Sequence, residues 1–399
     1  MQSKDRVLIA GAGPVGCTAA LYLAQKGVKV TVLEACDALP IDLRASTFHP
    51  PTLEMLEDLG VLDPLIAQGI ICPVWQYRDS KDGLVAEWDL GLLRNDTRHP
   101  YRLQAEQFKL TNIIVDVLKT IPHAEILFSS KATDAEQDAN GVNLRIETAN
   151  GSETLRGRYL IAADGASSEI RLSQGINFPG LTFSETWLCL STTYDFTRLI
   201  PGLSPIAYIA DPECWFVFVK VPEMWRLLMP SFPGETANSL VTDETVDERM
   251  RRIGVADTNY EIIHRTAYYV HQRVAETYRK GRIFLAGDSA HINNPLGGMG
   301  MNGGIHDGLN LAEKLVRVWR GEVGDEEFDL YDRQRRPIAL DFVQKATLAN
   351  KAMLEEADAR IRRSKQEELN RVCNDPVAAR EFLLHSSMIK TLERAASIG

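Results

Sequence analysis

The sequence predicts an α/β fold in which a parallel sheet is joined to a second, mostly antiparallel sheet, and in which the chain ends in helices. Residues 6–34 alternate strand, helix and strand, which is how a parallel βαβ unit begins. Residues 181–275 carry many aromatic side chains in short runs separated by Pro-containing turns, as expected of an antiparallel sheet. From Arg336 onward the pattern is helical and rich in charge.

The first βαβ unit is the clearest local pattern. The apolar run Arg6–Ala10 predicts a buried strand. Gly13–Gln25 has apolar residues at helical spacing, and Gly27 follows it as a C-cap. Val28–Glu34 then alternates apolar and polar residues and ends on a carboxylate. A parallel sheet should therefore form around this unit.

Later segments repeat these two periodicities. Regular apolar spacing predicts helices, alternation and Asn-Gly pairs predict hairpin strands, and a short apolar run predicts a buried strand. The expected elements are helices Thr52–Leu59 and Gln104–Leu118, strands within residues 124–163 with turns at Asn140-Gly141 and Asn150-Gly151, strand Arg282–Ala286 and helix Gly303–Trp319.

Composition excludes several classes of partner. The net charge of −10 argues against nucleic acid and against an anionic membrane surface, both of which favour basic proteins. The chain has no basic segment followed by an apolar core of a signal peptide, and no apolar run of membrane-spanning length. Its cysteines and histidines lack metal-ligand spacing. We expect a cytoplasmic protein with no nucleic-acid or membrane partner and no metal.

The first chemical motif is G-A-G-P-V-G, which follows the first strand and opens the first helix. Gly11 permits a tight turn, Gly13 lets a pyrophosphate approach the backbone, and Gly16 permits close helix–strand packing. The helix N-terminus favours an anion. Glu34, at the end of the next strand, can bind ribose hydroxyls. The motif predicts dinucleotide binding without separating FAD from NAD.

Two more motifs follow predicted strands. Asp164 and Gly165 begin the segment D-G-A-S-S-E-I-R. Asp288 lies in G-D-S-A-H, which is followed by the glycine-rich run Pro295–Gly303. A strand-end carboxylate can hold a ribityl hydroxyl, and glycines let backbone amides face a ring or a phosphate.

With these motifs in that order, the chain resembles the group A flavoprotein monooxygenases, the para-hydroxybenzoate hydroxylase-like family. The resemblance rests on GAGPVG, DGASSEIR and GDSAHINNPLGGMGMNGGIHD and spans residues 1 to about 345. It implies a Rossmann-like FAD-binding domain with an inserted, mostly antiparallel substrate-binding sheet domain and a helical C-terminal part. The implied boundaries are 1–71, 101–180 and 272–345 for the FAD-binding domain, 72–100 and 181–271 for the sheet domain, and 346–399 for the C-terminal helices.

The resemblance also implies roles for individual residues. The glycine loop would hold the FAD pyrophosphate, Asp288 the ribityl chain, and the start of the last long helix would face the flavin ring. Pro295 would lie near the reacting position of the flavin. The implied cofactor-binding residues are Gly11, Gly13, Pro14, Val15, Gly16, Glu34, Arg44, Gln104, Asp164, Asp288, Pro295, Gly298, Gly300, Met301 and Asn302.

The activity implied by the resemblance is hydroxylation of a small phenolic or N-heteroaromatic substrate with NADH or NADPH and O2, through a flavin C4a-hydroperoxide. His49 and Pro295 are the catalytic candidates, His49 as a base or pocket residue, although a packed histidine beside two prolines is the competing interpretation. Tyr194, Tyr208 and Trp215 are candidate substrate contacts on predicted strands, where aromatic side chains more often belong to a core.

Other interpretations of the same scaffold remain open at this point. An FAD-dependent reductase of an isoprenoid or quinone-type substrate would share the FAD motifs, and so would a flavin-binding redox sensor without turnover. The sequence does not distinguish a monomer from a homodimer, nor NADH from NADPH.

Overall fold

The computed structural model describes residues 5–41, 43, 45–256 and 260–399. Arg44, predicted to contact FAD, lies outside the described residues. In these ranges the strands are β1 Val7–Ala10, β2 Val30–Leu33, β3 Thr47–Phe48, β4 Ile70–Cys72, β5 Val74–Asp79, β6 Gly83–Asp89, β7 Arg102–Gln104, β8 Ala124–Leu127, β9 Lys131–Asp138, β10 Gly141–Thr148, β11 Gly151–Gly157, β12 Tyr159–Ala162, β13 Gly180–Thr192, β14 Ile206–Ala210, β15 Phe216–Val221, β16 Met224–Pro230, β17 Ile262–Val274, β18 Arg279–Lys280, β19 Ile283–Leu285 and β20 His291–Ile292.

The α-helices alternate with these strands at first and then dominate the end of the chain. They are α1 Pro14–Gln25, α2 Pro50–Asp58, α3 Leu62–Ile66, α4 Gln107–Leu118, α5 Glu169–Ser173, α6 Ala237–Leu240, α7 Asp243–Ile253, α8 Met299–Trp319, α9 Glu327–Ile338, α10 Gln344–Leu354, α11 Ala359–Cys373, α12 Pro376–Ser386 and α13 Ile389–Ala396. None of the helices described here is long and apolar enough to cross a membrane.

A six-stranded sheet in the order β18-β19-β12-β1-β2-β8 forms the centre of the nucleotide-binding half. All of its pairings are parallel except the one between β18 and β19. Every side chain of β1 is fully buried, because α1 packs against the parallel sheet and the small antiparallel sheet of β9, β10 and β11 packs against it as well. The predicted parallel sheet is confirmed.

The second large sheet has eight strands in the order β20-β17-β13-β16-β15-β14-β5-β6, and only β14 and β5 pair in parallel. Its two faces bury different side chains. One face packs Trp75, Trp88 and Trp187 in a cluster with the C-terminal helices. The other packs Phe218 and Trp225 beside α6 and α7. The predicted mostly antiparallel sheet is confirmed.

The C-terminal helices close one edge of this sheet. α11 packs on β6, and the ring of Phe382 in α12 stacks on Trp88 with centroids 3.9 Å apart. Pro337 lies inside α9, and a π-helical turn over Ala339–Val343 follows it before α10. A proline removes one backbone donor, which is the usual cause of such an irregularity.

Some predicted boundaries differ from the structure. Gln104 belongs to β7, and α4 begins at Gln107, because the backbone of Gln104 pairs with Thr47 and Ile70. α8 begins at Met299 rather than Gly303; glycines made this first turn unfavourable on propensity alone. Gly141 and Gly151 each begin a strand, so both hairpin turns lie one residue earlier than predicted.

Candidate FAD and substrate site

The predicted nucleotide motifs meet at one edge of the parallel sheet. Strands β19, β12, β1 and β2 are consecutive neighbours and run in the same direction. Their carboxyl ends therefore bring together Gly287-Asp288, Asp164, Gly11 and Glu34. Ligands of open α/β sheets bind at this edge.

Of the three motif glycines, two have no room for a side chain and one does. Gly11 has φ +99°, and a Cβ added there would lie 2.3 Å from the carbonyl oxygen of Ala163. A Cβ on Gly16 would lie 2.0 Å from the carbonyl oxygen of Gly11. A Cβ on Gly13 would meet no atom of the described residues within 4 Å. The fold thus requires glycine at 11 and 16, whereas the space beside Gly13 is left for a ligand.

The N-terminus of α1, which follows the loop, has the features of an anion-binding site. Gly13 is the N-cap of α1 and provides no side-chain cap, and Pro14 occupies the first turn. The first turn carries no acidic side chain. Val15 packs against Gly287, so it links this turn to the adjacent strand end. Uncapped N–H groups at a helix start suit a phosphate.

Glu34 is held at the side of the loop. Its Oε2 accepts a hydrogen bond from the backbone N–H of Ala12 at 3.0 Å, and its Oε1 accepts one from Cys36 at 3.0 Å. A carboxylate has further lone pairs, so both oxygens can still accept from ribose hydroxyls.

Among the described residues, Asp164 and Gln104 each have a buried side-chain atom without a hydrogen-bond partner. Oδ1 of Asp164 is unbonded, while its Oδ2 accepts from the backbone N–H of Ile170 at 3.3 Å. Burial raises the pKa of Asp164 above its ordinary value. Nε2 of Gln104 is also unbonded, although Oε1 of the same amide accepts from Thr47 at 3.1 Å. Buried polar groups normally form hydrogen bonds. The free oxygen of Asp164 can therefore accept a hydrogen bond from a ligand, and the free amide nitrogen of Gln104 can donate one.

Asn302 fixes the glycine-rich loop to the strand that carries Thr47. Its Nδ2 donates to the carbonyls of Thr47 at 2.8 Å and Gly298 at 2.7 Å, and its Oδ1 accepts from the backbone N–H of His49 at 2.9 Å. Gly298, with φ +66°, caps α8. The side chain of Asn302 is therefore used for scaffolding.

The other loop residues take different positions. Pro295 is exposed in front of the helix, and Gly300 and Met301 lie in the first turn of α8. Met301 packs partly against the central core. Asp288 is exposed at the end of β19. The fit to FAD is consistent across the site: an open glycine, an uncapped helix start and two unsatisfied buried atoms.

His49 does not have the surroundings of a catalytic base. It has no exposed surface, and its Nε2 donates to the carbonyl of Gly297 at 2.8 Å. Burial, reinforced by the charge of Arg102, lowers the pKa of His49 well below its ordinary value. A weakly basic ring with no access to the site cannot readily take a substrate proton. The structure therefore favours the packed-histidine interpretation, in which His49 positions the Gly297 loop.

His306, in α8, is a second neutral histidine beneath this loop. Its Nε2 lies 2.9 Å from Oγ1 of Thr52. Burial, together with the nearby Arg335, lowers the pKa of His306 to about 3. The unfolded chain, with an ordinary pKa of 6.5, binds this proton first as the pH falls. His306 must therefore destabilise the fold as the pH falls from about 6.5 toward about 3.

We expect His306→Asn to flatten this acid dependence. In wild type the residue should contribute a slope of about 1.4 kcal/mol per pH unit to the free energy of unfolding, and the asparagine variant should lack it. Urea unfolding of both proteins at several pH values in this window measures the slope. Identical slopes would contradict the buried, neutral assignment of His306.

A buried ion cluster, formed by Asp307, His291 and Arg335, fastens the G-D-S-A-H motif to α8 and α9. Oδ2 of Asp307 lies 2.7 Å from Nε2 of His291, and Oδ1 accepts from Nε of Arg335 at 2.6 Å. All three side chains are at most 4% exposed. The arginine and the histidine lower the pKa of Asp307 to about 2, against the effect of burial. His291 is thus structural.

The three aromatic residues predicted to contact substrate lie in different parts of the structure. Tyr208 lies on β14, and its hydroxyl accepts from the backbone N–H of Gly297 at 3.1 Å. Trp215 lies just before β15 and packs edge-on against Trp187, with centroids 4.8 Å apart. Tyr194 follows β13 and packs with Phe196 in the cluster on the opposite face of the sheet. Tyr208 is thus hydrogen-bonded to the loop of Pro295–Asn302, and Trp215 shares a cluster with Leu296 of that loop.

Arg102 was not predicted as a site residue; it lay just before the predicted helix Gln104–Leu118. On β7 it shares a face with Gln104, two residues later. It is 2% exposed, its Nη2 donates to the carbonyl of Ser386 at 3.3 Å, and Tyr208 lies near its charge. An arginine two residues before a flavin-side glutamine on a strand was the signal that could have found it.

Comparisons with known proteins agree with this arrangement. Residues 4–346 match the family described as FAD binding domain. The chain is 33% identical over 393 residues to para-nitrophenol 4-monooxygenase of Pseudomonas sp. WBC-3, covering 96% of each chain. It is 33% identical to 6-hydroxy-3-succinoylpyridine 3-monooxygenase of Pseudomonas putida S16, covering 84% of this chain and 85% of the relative.

A solved structure shows the same architecture over the whole chain. The p-nitrophenol 4-monooxygenase of Pseudomonas putida DLL-E4 superposes with a TM-score of 0.92 at 32% identity, covering 98% of each chain. The alternative of a reductase or a sensor is not favoured by relatives that are monooxygenases. The chain is a flavoprotein monooxygenase with an FAD-binding domain, and it belongs to the para-hydroxybenzoate hydroxylase-like family of aromatic hydroxylases.

Proposed function

We propose that the protein hydroxylates a phenol or a hydroxylated N-heteroaromatic ring, with NADH or NADPH and O2 as co-substrates. The observation that carries the proposal is the position of the Tyr208 hydroxyl. It lies at the junction between the loop of Pro295–Asn302 and the eight-stranded sheet, beside the buried Arg102.

The hydrogen bonds of Tyr208 leave one donor free for a ligand. Its oxygen accepts from the backbone N–H of Gly297 at 3.1 Å. A phenolic hydroxyl has two lone pairs and one hydrogen, so this bond uses one lone pair and the hydrogen remains. Among the described residues no acceptor takes that hydrogen. The hydroxyl can therefore donate to an oxygen on the substrate ring.

The remaining residues orient the reactants and keep water away. FAD, when bound, supplies the activation of O2 and the transfer of one oxygen atom. The glycine loop and Glu34 would hold its nucleotide end, and Asp164 and Gln104 would satisfy their free atoms on it. Exposed Pro295 would face the reacting position, and His49 and Asn302 would keep the adjacent loop rigid. A rigid site that excludes water limits the release of hydrogen peroxide in place of hydroxylated product.

The relatives support a hydroxylated six-membered ring. One acts on para-nitrophenol and the other on a 6-hydroxypyridine, according to their names. Both names describe a ring that carries a hydroxyl group, and the oxygen of that group could accept a hydrogen bond from the hydroxyl of Tyr208. We further propose that the enzyme works in the cytoplasm as a monomer or homodimer; sedimentation of the purified protein distinguishes the two assemblies.

The proposal is tested by cofactor oxidation with a panel of ring compounds. We expect a phenol or hydroxypyridine to accelerate oxidation of NADH or NADPH by the FAD-loaded protein at least about ten-fold, because substrate binding gates such reactions. Product formed under isotope-labelled O2 should contain one labelled oxygen atom. Tyr208→Phe should lower coupling of cofactor oxidation to product. Stimulation by no ring compound, or product without label, would overturn the proposal.

A further inference from the structure

A cavity of about 290 Å³ lies on the face of the eight-stranded sheet that packs beside α6 and α7. One wall of it is apolar and comes from Ile209 on β14, Phe216 on β15 and Met229 on β16. Ile209 directly follows Tyr208, and the two side chains pack on opposite faces of the sheet. The sheet therefore separates this cavity from the loop of Pro295–Asn302, to which Tyr208 is hydrogen-bonded.

Arg78 places an unpaired positive charge beside the apolar wall. It is partly buried on β5 and lines the cavity, and in the described part of the chain it forms no ion pair. Its Nη1 donates to Oε1 of Gln76 at 2.9 Å, which is a neutral acceptor. The charge of Glu87 acts on it only from a distance, and burial lowers the pKa of Arg78 below its ordinary value. A partly buried cation of this kind favours a negatively charged ligand.

Arg249, on α7, adds buried donors to the lining of the cavity. Its side chain has no exposed surface, and its Nη2 pairs with Glu235. Its Nε and Nη1 form no hydrogen bond with any described residue, although Nη1 lies 3.8 Å from a carboxylate oxygen of Glu248. Buried nitrogen atoms normally have an acceptor. The guanidinium of Arg249 thus keeps donors for an acceptor in the cavity.

Arg252, in the last turn of α7, contributes a third guanidinium. It lies 3.3 Å from Glu248 and 3.7 Å from Glu213, and both of these carboxylates are exposed to solvent. Exposed ion pairs of this kind contribute little to stability. Arg252 can therefore turn from them to a ligand at little cost.

The two aspartates that line the cavity have their oxygens bonded within the fold. Oδ1 of Asp211 accepts from two backbone N–H groups in the turn after β14, and its Oδ2 accepts from the hydroxyl of Ser80. Oδ1 of Asp79 accepts from two backbone N–H groups in the β5–β6 turn, and its Oδ2 accepts from Gln366 on α11 at 2.7 Å. The polar atoms that remain for a ligand are thus mainly guanidinium donors.

We propose that this cavity is a second ligand site, separate from the flavin, for a small organic carboxylate with an apolar body. Guanidinium groups suit a carboxylate because their parallel N–H groups can donate to both of its oxygens. The wall of Ile209, Phe216 and Met229 buries the apolar part of the same ligand. Since the site and Tyr208 lie on opposite faces of the sheet, a carboxylate and a ring substrate can be bound at the same time. The proposal does not depend on which ring the enzyme hydroxylates.

The test compares a charged probe with a neutral one of similar shape. Cyclohexanecarboxylate is the probe, and cyclohexanemethanol is its uncharged control. Calorimetric titration of the oxidised, FAD-loaded protein, without NADH or NADPH, measures both affinities. We expect the carboxylate to bind at least about ten-fold more tightly than the alcohol, because hydrogen bonds between charged groups are the stronger ones.

Substitutions then locate the bound probe. Arg78→Met should weaken binding of the carboxylate at least about ten-fold and leave binding of the alcohol unchanged. Arg363→Met is the matched control, because Arg363 is exposed on α11 and pairs only with Glu367 there. Arg252→Met, on the exposed side of α7, should also weaken binding and keeps the proposal testable if Arg78→Met does not fold. The FAD content of each purified variant reports whether it is folded.

Three results would overturn the proposal. The first is failure of the carboxylate to bind more tightly than the alcohol. The second is full binding of the carboxylate to both Arg78→Met and Arg252→Met, since the probe would then occupy another place. The third is loss of carboxylate binding in Tyr208→Phe with binding retained in Arg78→Met, which would place the probe on the ring-binding face of the sheet.

Discussion

Gly13→Ala is expected to leave the apoprotein as stable as wild type and to weaken FAD binding at least about 100-fold, or about 2.7 kcal/mol. Gly13 has φ −70° and ψ 178°, which alanine adopts without strain. A Cβ there meets no atom of the described residues within 4 Å. The methyl group would instead occupy the space at the start of α1 where the FAD pyrophosphate must approach.

Gly16→Ala is the matched control in the same loop. Its Cβ would lie 2.0 Å from the carbonyl oxygen of Gly11, so the backbone itself must move. We expect this variant to lose about 3 kcal/mol of unfolding free energy even without FAD. Urea unfolding of both apoproteins and the flavin absorbance retained after purification separate the two effects. An FAD-replete Gly13→Ala protein would show that the pyrophosphate does not pass Gly13.

Asp307→Asn is expected to destabilise the protein by about 3 to 5 kcal/mol. The substitution is nearly isosteric, so packing is preserved. It removes the negative charge that holds Arg335 at 2.6 Å and His291 at 2.7 Å, and leaves the buried guanidinium of Arg335 with the carbonyl of Gly303 in place of a carboxylate. The same three residues join the G-D-S-A-H motif to α8 and α9, so FAD affinity should fall with stability.

An exposed aspartate provides the control for this loss. Asp341 forms an i,i+4 pair with Lys345, and both side chains are more than half exposed. Asp341→Asn should change the free energy of unfolding by less than about 0.5 kcal/mol. Since the folded pKa of Asp307 is depressed, its contribution is present above its ordinary value of 3.8 and is lost as the pH falls toward about 2. A loss below about 1 kcal/mol for Asp307→Asn at neutral pH would contradict the buried-pair assignment.

The site was accessible from sequence where one short segment determines the chemistry. The glycine loop, Glu34, Asp164 and Asp288 each follow a strand that local periodicity identifies, and the parallel pairing of those strands places them at one edge. Gly11 and Gly16 were correctly assigned to a tight turn and to close packing, because both requirements arise within a few residues.

The roles of the other site residues depend on contacts between segments that are distant in the sequence. His49 was predicted as a candidate base, but its ring donates a hydrogen bond to the carbonyl of Gly297, which is far along the chain. Tyr194 and Tyr208 were both predicted on strands of the second domain, but they pack in clusters on opposite faces of the sheet. Arg102 lay just before the predicted helix Gln104–Leu118, and its strand arises from pairing with the distant β4.

The sequence by itself determined the α/β class, the FAD-binding motifs and the family, because these follow from periodicity and from glycine and carboxylate positions within single segments. Only the tertiary structure decided which polar side chains form hydrogen bonds within the protein and which keep a donor or an acceptor free for a ligand. That property depends on burial and on hydrogen bonds between segments remote in the chain, as at Tyr208, where strand β14, the loop of Gly297 and Arg102 meet.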